Sequence, residues 1–459
     1  MGKLRYRFAF LMAKAAIPAL KLTGHKGTDF PGTVANKICP DFLRYIDKPK
    51  FIIGITGTNG KTTISNLLTD SLAALGRPVL NNGAGSNAID GVTTCLIKGT
   101  NFFGKQRHKE AVLEIDERST RLICPYVKPD YFIVSNLSRD SIMRTGHPQF
   151  VRDIVSQFIP KESKLLLNAD DLNASSVAPA NPRKYYGIEK MAGDLTESRN
   201  IINDVVICPK CSARLKFEYI RYSNIGKVYC PACGFKAPEY DFAAFDVDKD
   251  AMTMGFRGEG KEGRFPLLNE GTFNIYNQVA VIAMLQELGY SYEEIAKAMH
   301  RDDVGIAKTR YDDIEVNGSH VRTMLCKGLN GYAASRVAEY IKAQPGDKEI
   351  IIMTNSLDAK IHWSEDTCWI YDWDLELLAE DRVKQWIVFG DRGTDYKLRL
   401  LYAGVPEERI TRVQKMEEMP DKLQLFKNDN IYVLYDLDII QNGLDLAKQI
   451  ADMIREKEA

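Results

Sequence analysis

The sequence predicts an α/β protein. A P-loop domain built on a parallel sheet carries an inserted four-cysteine zinc ribbon, and a second, Rossmann-like α/β domain follows. Three observations carry this reading. The apolar run Phe51-Ile52-Ile53-Gly54-Ile55 leads into the glycine-rich Thr56-Gly57-Thr58-Asn59-Gly60-Lys61-Thr62-Thr63 and then into a helical pattern, Ile64 to Leu72. Strand-like and helical stretches alternate after it, which favours a parallel sheet wound on both faces. Two Cys-x-x-Cys pairs interrupt that alternation between residues 200 and 240.

The elements follow in order. Residues 1–48 read as a helical segment. Lys3, Arg5 and Arg7 precede the short apolar run Phe8 to Ala13, as in a secretory leader, but Lys14 breaks the run and no small-residue cleavage site follows. The segment reads instead as an amphipathic helix. It either packs on the body of the protein, the preferred reading, or touches anionic lipid. Residues 49–312 form the ATP-binding domain, with strands at Ala111–Ile115, Tyr131–Ser135 and Lys164–Leu167 and helices at Tyr276–Leu288 and Tyr292–Met299. Residues 313–459 form the C-terminal domain, with strands at Glu349–Met353, Gln385–Phe389 and Ile431–Tyr435.

Composition excludes several classes. The 459 residues are 45% hydrophobic and 27% charged, with a formal net charge of zero, so nothing global points to nucleic acid. No run of 18 apolar residues is present, so no transmembrane helix is expected. Nine cysteines, an odd number, argue against a disulfide framework.

The strand–turn–helix at residues 51–72 has the chemistry of a phosphate cradle. Backbone N–H groups of Gly57, Thr58, Asn59, Gly60 and Thr63 and the helix start attract anionic oxygens. Lys61 reaches the β/γ-phosphates of ATP, and the Thr62 hydroxyl ligates Mg²⁺. The general pattern places a glycine five positions before Gly60, where this chain has Ile55. The alternative is a simple turn between strand and helix.

Cys208-Pro-Lys-Cys211 and Cys230-Pro-Ala-Cys233 each make a knuckle that points two thiolates at one ion. Four thiolates suit tetrahedral Zn²⁺ and close its coordination sphere, so the site is structural. The alternating segments 215–219 and 227–229 between them read as a hairpin. Redox chemistry at these cysteines is the rival.

Glu114 ends a strand, where sheet carboxyl ends form ligand crevices. It is the candidate for holding Mg²⁺ or a metal-bound water; a solvated acidic turn is the alternative. Asp116 and Glu117 read as helix-start charges.

The loop TGTNGKTT resembles that of the Mur ligase and folylpolyglutamate synthase superfamily, which phosphorylates a carboxylate with ATP and couples the acyl phosphate to an amine. Gly24 to Gly32 is similar to the GKG-x-x-x-PG segment of the MurT-like synthetase subunits. Further matches to that family follow: Asn136 to Gly146, where Asp140 and Arg144 read equally as functional or structural; Asn168-Ala169-Asp170-Asp171; and Asn355 to Asp372. Gly390-Asp391-Arg392 and Arg399 to Gly404 match as well.

The resemblance implies several roles. Asn274, with Asn277 second, contacts the nucleotide; a helix cap is the alternative. Arg310 bridges phosphates or senses domain closure. Asp366 is the catalytic acid that positions or deprotonates ammonia, against the alternative of a loop acid. Glu114 matches the family's metal-associated acid. The chain departs from the family pattern at His147, at Lys308 to Asp312, at Lys327-Gly328-Leu329-Asn330-Gly331 and at Tyr435-Asp436-Leu437-Asp438. The last two departures bear on the acceptor more than on ATP.

By this resemblance the protein is an ATP-dependent amidating ligase. The acceptor is the D-glutamate α-carboxyl of lipid II, a lipid-linked peptidoglycan precursor. Ammonia comes from a class I glutamine amidotransferase subunit, GatD-like, in a heterodimer. The location implied is cytoplasmic, with at most peripheral contact at the inner face of the membrane. A Mur-type amino-acid ligase, an amidating paralogue with another acceptor and a non-catalytic nucleotide-binding scaffold are the alternatives.

Overall fold

The computed structural model describes residues 2–22, 27–83, 86–139, 146–301, 304–305, 312–326, 330–354, 367–424, 430–436 and 439–457. The chain divides into two compact units. The first comprises Met1–Ser138, His147–Ser198 and Asp204–Ile306; the second comprises Arg139–Gly146, Arg199–Asn203 and Ala307–Ala459.

The first unit opens with three helices, α1 (Gly2–Leu22), α2 (Phe30–Ile38) and α3 (Phe42–Tyr45). β1 (Phe51–Thr56) leads through the loop into α4 (Lys61–Ala74). β2 (Leu80–Asn81), α5 (Ile89–Gly99), β3 (Glu110–Glu114), α6 (Thr120–Ile123), β4 (Tyr131–Val134), β5 (Lys164–Asn168) and β6 (Arg183–Ile188) follow. The ribbon supplies β7 (Lys216–Tyr222) and β8 (Ile225–Tyr229), an antiparallel pair. β9 (Phe242–Asp248), β10 (Thr253–Gly258) and β11 (Lys261–Pro266) complete a nine-stranded sheet of order 11-10-9-6-5-4-1-3-2. Two helices, Thr272–Glu287 and Tyr292–Met299, close the unit.

Strand residues sort alternately to two cores, as expected of a sheet covered on both faces. Ile52, Leu113, Phe132, Leu165 and Leu167 join the core under α1, α2 and α5. Ile53, Ile55, Val112, Ile133 and Leu166 join the core under α4 and the helix Thr272–Glu287. The sheet is not wholly parallel. β9–β10 and β10–β11 are antiparallel hairpin partners, so the edge is a meander. The turns Lys249–Met252 and Glu259-Gly260, with positive φ at Met252, Glu259 and Gly260, are too short for a helical crossover. β1 lies between β3 and β4, both parallel to it. The strand order therefore reverses at β1, and the loop after it faces a crevice.

The second unit has a six-stranded sheet of order 12-13-17-14-15-16. Its strands are β12 (Asp313–Val316), β13 (Ser319–Leu325), β14 (Lys348–Ile352), β15 (Val383–Phe389), β16 (Ile410–Val413) and β17 (Asn430–Tyr435). Only β12, paired with β13, is antiparallel among the described strands. Ile350 and Ile352 face one core, and Ile351 and Met353 the other. Asn330 caps the helix Gly331–Ala343 by accepting from Ala333 N at 2.8 Å. Among the described residues, no helix is long and apolar enough to cross a membrane.

Candidate active site

The loop after β1 is held from the carboxyl end of β4. Asn136 O accepts from Thr58 N at 2.8 Å and Asn136 Oδ1 from Asn59 N at 3.1 Å, so these two N–H groups, expected to meet phosphate, are taken up by the loop's own clamp; Asn136 Nδ2 donates to Asn59 O at 2.9 Å. Ser135 Oγ donates to Asn59 O at 2.7 Å. Gly57 (φ 134°) and Gly60 (φ 87°) both lie at positive φ. A Cβ on Gly57 would stand 2.1 Å from Ser135 Oγ, and one on Gly60 would stand 2.2 Å from Asn277 Oδ1. The glycines thus serve both conformation and close approach. Helix α4 begins with Ile64 N donating to Gly60 O at 2.9 Å, which leaves the first-turn N–H groups for a ligand.

Lys61 Nζ donates to Glu117 Oε1 at 2.9 Å, to Thr58 O at 3.4 Å and to Gly57 O. Burial alone would pull this ammonium down, but Glu117, Glu114 and Asp116 around it hold it above its ordinary value. The Lys61–Glu117 pair is a correction to the reading of Glu117 as a helix-start charge. Asp116 does take that role, accepting from Arg118 N and Ser119 N at 3.1 Å each. The turn they make swings Glu117 back under the loop.

Thr62 Oγ1 donates to Glu114 Oε2 at 2.9 Å. Glu114 is buried, and its other oxygen accepts from Asn87 Nδ2 at 2.8 Å. Asn82 brackets the same backbone, accepting from Glu114 N at 2.8 Å and donating to Glu114 O at 2.9 Å. The metal named for this family fits here. Two oxygens on one Mg²⁺ at adjacent octahedral corners stand about 2.9 Å apart for bonds of about 2.05 Å. Thr62 and Glu114 already meet that separation.

Asn274 and Asn277 are both buried on the helix Thr272–Glu287, and Asn277 Nδ2 donates to Asn274 Oδ1 at 3.3 Å. Asn277, the second choice of the sequence, is the one in contact with Gly60. The helix caps at Gly271, so Asn274 is not the cap. Arg310, Asp366, Asp140 and Arg144 lie outside the described residues. Arg139, within the second unit, pairs with Asp372 at 3.2 Å.

The Asn168-x-Asp170-Asp171 motif is structural in its contacts. Asp171 caps a short helix through Asn173 N and Ala174 N and accepts from Leu137 N at 2.7 Å. Burial pushes its carboxyl up to about 6. Asp170 accepts from Tyr276 OH at 2.5 Å, from Ile188 N at 3.2 Å and from Tyr240 OH, and pairs with Arg221 at 3.0 Å. Arg221 sits on β7, so Asp170 ties the ribbon to the main sheet.

The four ribbon cysteines have sulfurs within 4.8 Å of one another. Cys208 and Cys233 sulfurs are 3.7 Å apart, and Cys211 and Cys230 sulfurs 3.5 Å. A tetrahedron with Zn–S bonds of about 2.3 Å has edges of about 3.8 Å, so the cage fits Zn²⁺. Both knuckles close alike. Cys208 N donates to Ala213 O at 2.8 Å and Cys230 N to Phe235 O at 2.7 Å, with positive φ at Ser212 and Gly234. Burial pushes the Cys230 thiol up, but N–H groups of Cys233 and Ala232 and the neighbouring thiols bring it down to about 7.

A glycine-rich loop at a strand-order reversal, a lysine and threonine aimed into it and a buried glutamate behind them define a P-loop ligase of the Mur type. The Mur ligase middle domain matches residues 55–285, and the MurT ligase C-terminal domain matches residues 328–437. The chain belongs to the MurT family of this superfamily. It is 33% identical over 403 residues to the MurT subunit of lipid II isoglutaminyl synthase (glutamine-hydrolyzing) of Staphylococcus aureus strain COL, covering 86% of this chain and 88% of that one. The corresponding subunit of Streptococcus pneumoniae strain ATCC BAA-255 / R6 is 28% identical over 412 residues, 89% of this chain and 90% of that one. Among solved structures, a pseudomurein peptide ligase type C from Methanothermus fervidus shares the fold. It has a TM-score of 0.66 at 19% identity, covering 93% of this chain and 85% of that one.

Proposed function

We propose that this chain is the synthetase subunit of a lipid II amidating enzyme. It converts the D-glutamate α-carboxyl of the lipid-linked precursor to D-isoglutamine, using ATP, Mg²⁺ and ammonia. A class I, GatD-like glutaminase subunit supplies the ammonia within a heterodimer on the cytoplasmic side of the membrane. The observation that carries this reading is the likeness to MurT subunits across both domains, joined to an intact Lys61–Thr62–Glu114 constellation. The match over residues 328–437 favours it over an amino-acid ligase of the Mur type.

We read three working parts: 1–48, 49–312 with the 200–240 insertion, and 313–459. The acceptor carboxylate attacks the γ-phosphorus of ATP, ADP leaves, and an acyl phosphate forms. Ammonia then attacks the acyl carbon, phosphate leaves, and the surplus proton goes to a base. Lys61 and the first-turn N–H groups of α4 neutralise charge on the transferred phosphoryl group. Entry of phosphate draws Lys61 from Glu117, which balances its charge in the apo protein. Thr62 and Glu114 hold Mg²⁺, which supplies Lewis-acid neutralisation of phosphate oxygens. Asn274 and Asn277 support the nucleotide side of the loop, and Arg310 serves the phosphates or domain closure. Asp366 holds ammonium and accepts its proton. The ribbon's Zn²⁺ is structural.

The test is mass spectrometry of lipid II incubated with the chain, ATP, Mg²⁺ and free ammonium, which bypasses the partner. The expected product is the carboxamide, absent with Lys61→Ala. An amino-acid adduct, or amidation without ATP, would overturn the reading.

A further inference from the structure

Helix α1 is apolar on two opposite faces. Ala9, Phe10 and Ala13 are buried in the core, with Tyr6 and Ile17 packed against it. On the other side Leu4 (77% exposed), Phe8 (57%), Leu11 (49%) and Met12 (45%) share an arc of about 100°. Among the described residues of this helix, Lys3, Arg7 and Lys14 lie along one border of that arc and Arg5 along the other. A second apolar feature stands beside it. The turn Asn101–Gly104 is braced by Asn101 Oδ1 accepting from Phe103 N and Lys105 N, both at 2.9 Å. It presents Phe102 and Phe103 at 72% and 89% exposure. Gly104 places this turn against α1, since a Cβ there would lie 3.7 Å from the Phe10 ring and 3.8 Å from Tyr6 OH.

The two segments that carry these side chains are basic. Residues 1–28 hold six Lys/Arg and no Asp/Glu, and residues 91–109 hold four and none, in a chain with 61 of each. The two segments meet at Lys14, which donates to Thr100 O at 2.7 Å. Burial and the neighbouring Arg107 both push the Lys14 ammonium down. Arg107 donates to the carbonyls of Lys98 (3.1 Å) and Gly99 (3.4 Å). Among the described residues, Asp47 stands against α1, acting on Tyr6 and accepting from Gln106 N at 3.0 Å, and Asp41 lies beside Tyr45.

We infer that the outward face of α1 and the Phe102–Phe103 turn form a docking surface for an anionic lipid bilayer. Exposed aromatic and aliphatic side chains bordered by cations are the pattern of a helix that lies in the headgroup region. Five basic residues along α1 exclude its spanning a bilayer. A protein partner or a second copy would leave the unbalanced cations without a stated counter-charge, whereas an anionic bilayer supplies one. The inference rests on the proposed lipid-linked acceptor only for its purpose, which is to hold the enzyme at the surface that carries its substrate.

The test is co-sedimentation of the full chain with phosphatidylcholine vesicles, with and without phosphatidylglycerol, at physiological ionic strength. The expected result is binding that requires phosphatidylglycerol and falls as salt rises. Lys3→Gln/Arg7→Gln should weaken partitioning about 30-fold, from about 1 kcal/mol per cation at the surface. Leu4→Ser/Phe8→Ser and Phe102→Ser/Phe103→Ser should each weaken it at least about tenfold. Thermal unfolding and ATP hydrolysis in solution should stay unchanged in all three. Absence of vesicle binding, equal binding to neutral vesicles or unchanged binding by the variants would overturn the inference. So would a dimer in size-exclusion chromatography that Leu4→Ser/Phe8→Ser dissolves, since a second copy would then cover the face. The assay contains neither ATP nor acceptor, so its failure leaves the amidation reading standing, and failure of amidation leaves this one standing.

Discussion

Asp170→Asn tests how the ribbon is anchored. The Asp170 side chain is fully buried and accepts four hydrogen bonds, from Tyr276, Tyr240, Ile188 N and Arg221. Among the described residues, Arg221, also buried, has one further carboxylate partner, Asp194, at 3.0 Å. The substitution keeps the shape of the side chain but removes its charge and one acceptor oxygen. Breaking a buried pair by removing one partner costs about 3–5 kcal/mol, and a single hydrogen bond to a charged group contributes about 1.5–3 kcal/mol. We therefore expect a loss of about 3 kcal/mol or more, a large share of a typical stability of about 5–15 kcal/mol. All four tryptophans lie within residues 313–459, so their fluorescence reports the second unit, while far-UV circular dichroism reports both. Urea unfolding followed by dichroism should show a lower midpoint for the variant, with the fluorescence transition in place. A loss below about 1 kcal/mol would show that the Tyr–Arg–Asp cluster does not hold the ribbon to the sheet.

Three further outcomes follow from the site. Glu117→Gln should raise the affinity of the apo protein for ATP several-fold, because Lys61 no longer leaves a buried carboxylate to reach phosphate; equilibrium titration with a fluorescent ATP analogue checks it, and weakened binding would place Glu117 in the nucleotide site itself. Cys208→Ser/Cys230→Ser should abolish zinc in elemental analysis and lower the dichroism melting temperature by roughly 5–10 °C, whereas full zinc content would remove the four-thiolate assignment. Asp366→Asn should keep nucleotide binding while amide formation falls by roughly 10²–10⁴-fold, with or without high free ammonium; retained amidation would make Asp366 a loop acid.

Local patterns carried the parts of the fold that one segment can specify. The loop from Gly57 to Thr63 is recognisable from a buried strand, glycines where φ is positive and a helix start, all contiguous. The cysteine cage needs two knuckles of fixed spacing, and both are contiguous too. The parallel strands β1, β3, β4 and β5 were visible as apolar runs because both their faces are covered.

Contacts made across the sheet were not legible. Glu117 meets Lys61 only because a turn of three residues reverses the chain after β3. Asn136 clamps the loop from the adjacent strand, and Asn82 and Asn87 fix Glu114 from the far side of β3. Asparagines at strand ends were the available signal, and a turn explains each of them equally well. The antiparallel edge was missed because Thr253-Met-Gly-Phe-Arg-Gly and Lys261-Glu-Gly-Arg-Phe-Pro carry two glycines and one glycine with several charges, which mutes the alternation of a strand.

The proposed reaction turns on phosphorylation of the acceptor carboxylate before its amidation. Lipid II labelled with oxygen-18 in the D-glutamate α-carboxyl, incubated with the chain, the proposed glutaminase subunit, ATP, Mg²⁺ and glutamine, tests this. One labelled oxygen is expected in the released inorganic phosphate for each carboxamide formed, and none with Lys61→Ala. Carboxamide formed with unlabelled phosphate would contradict it.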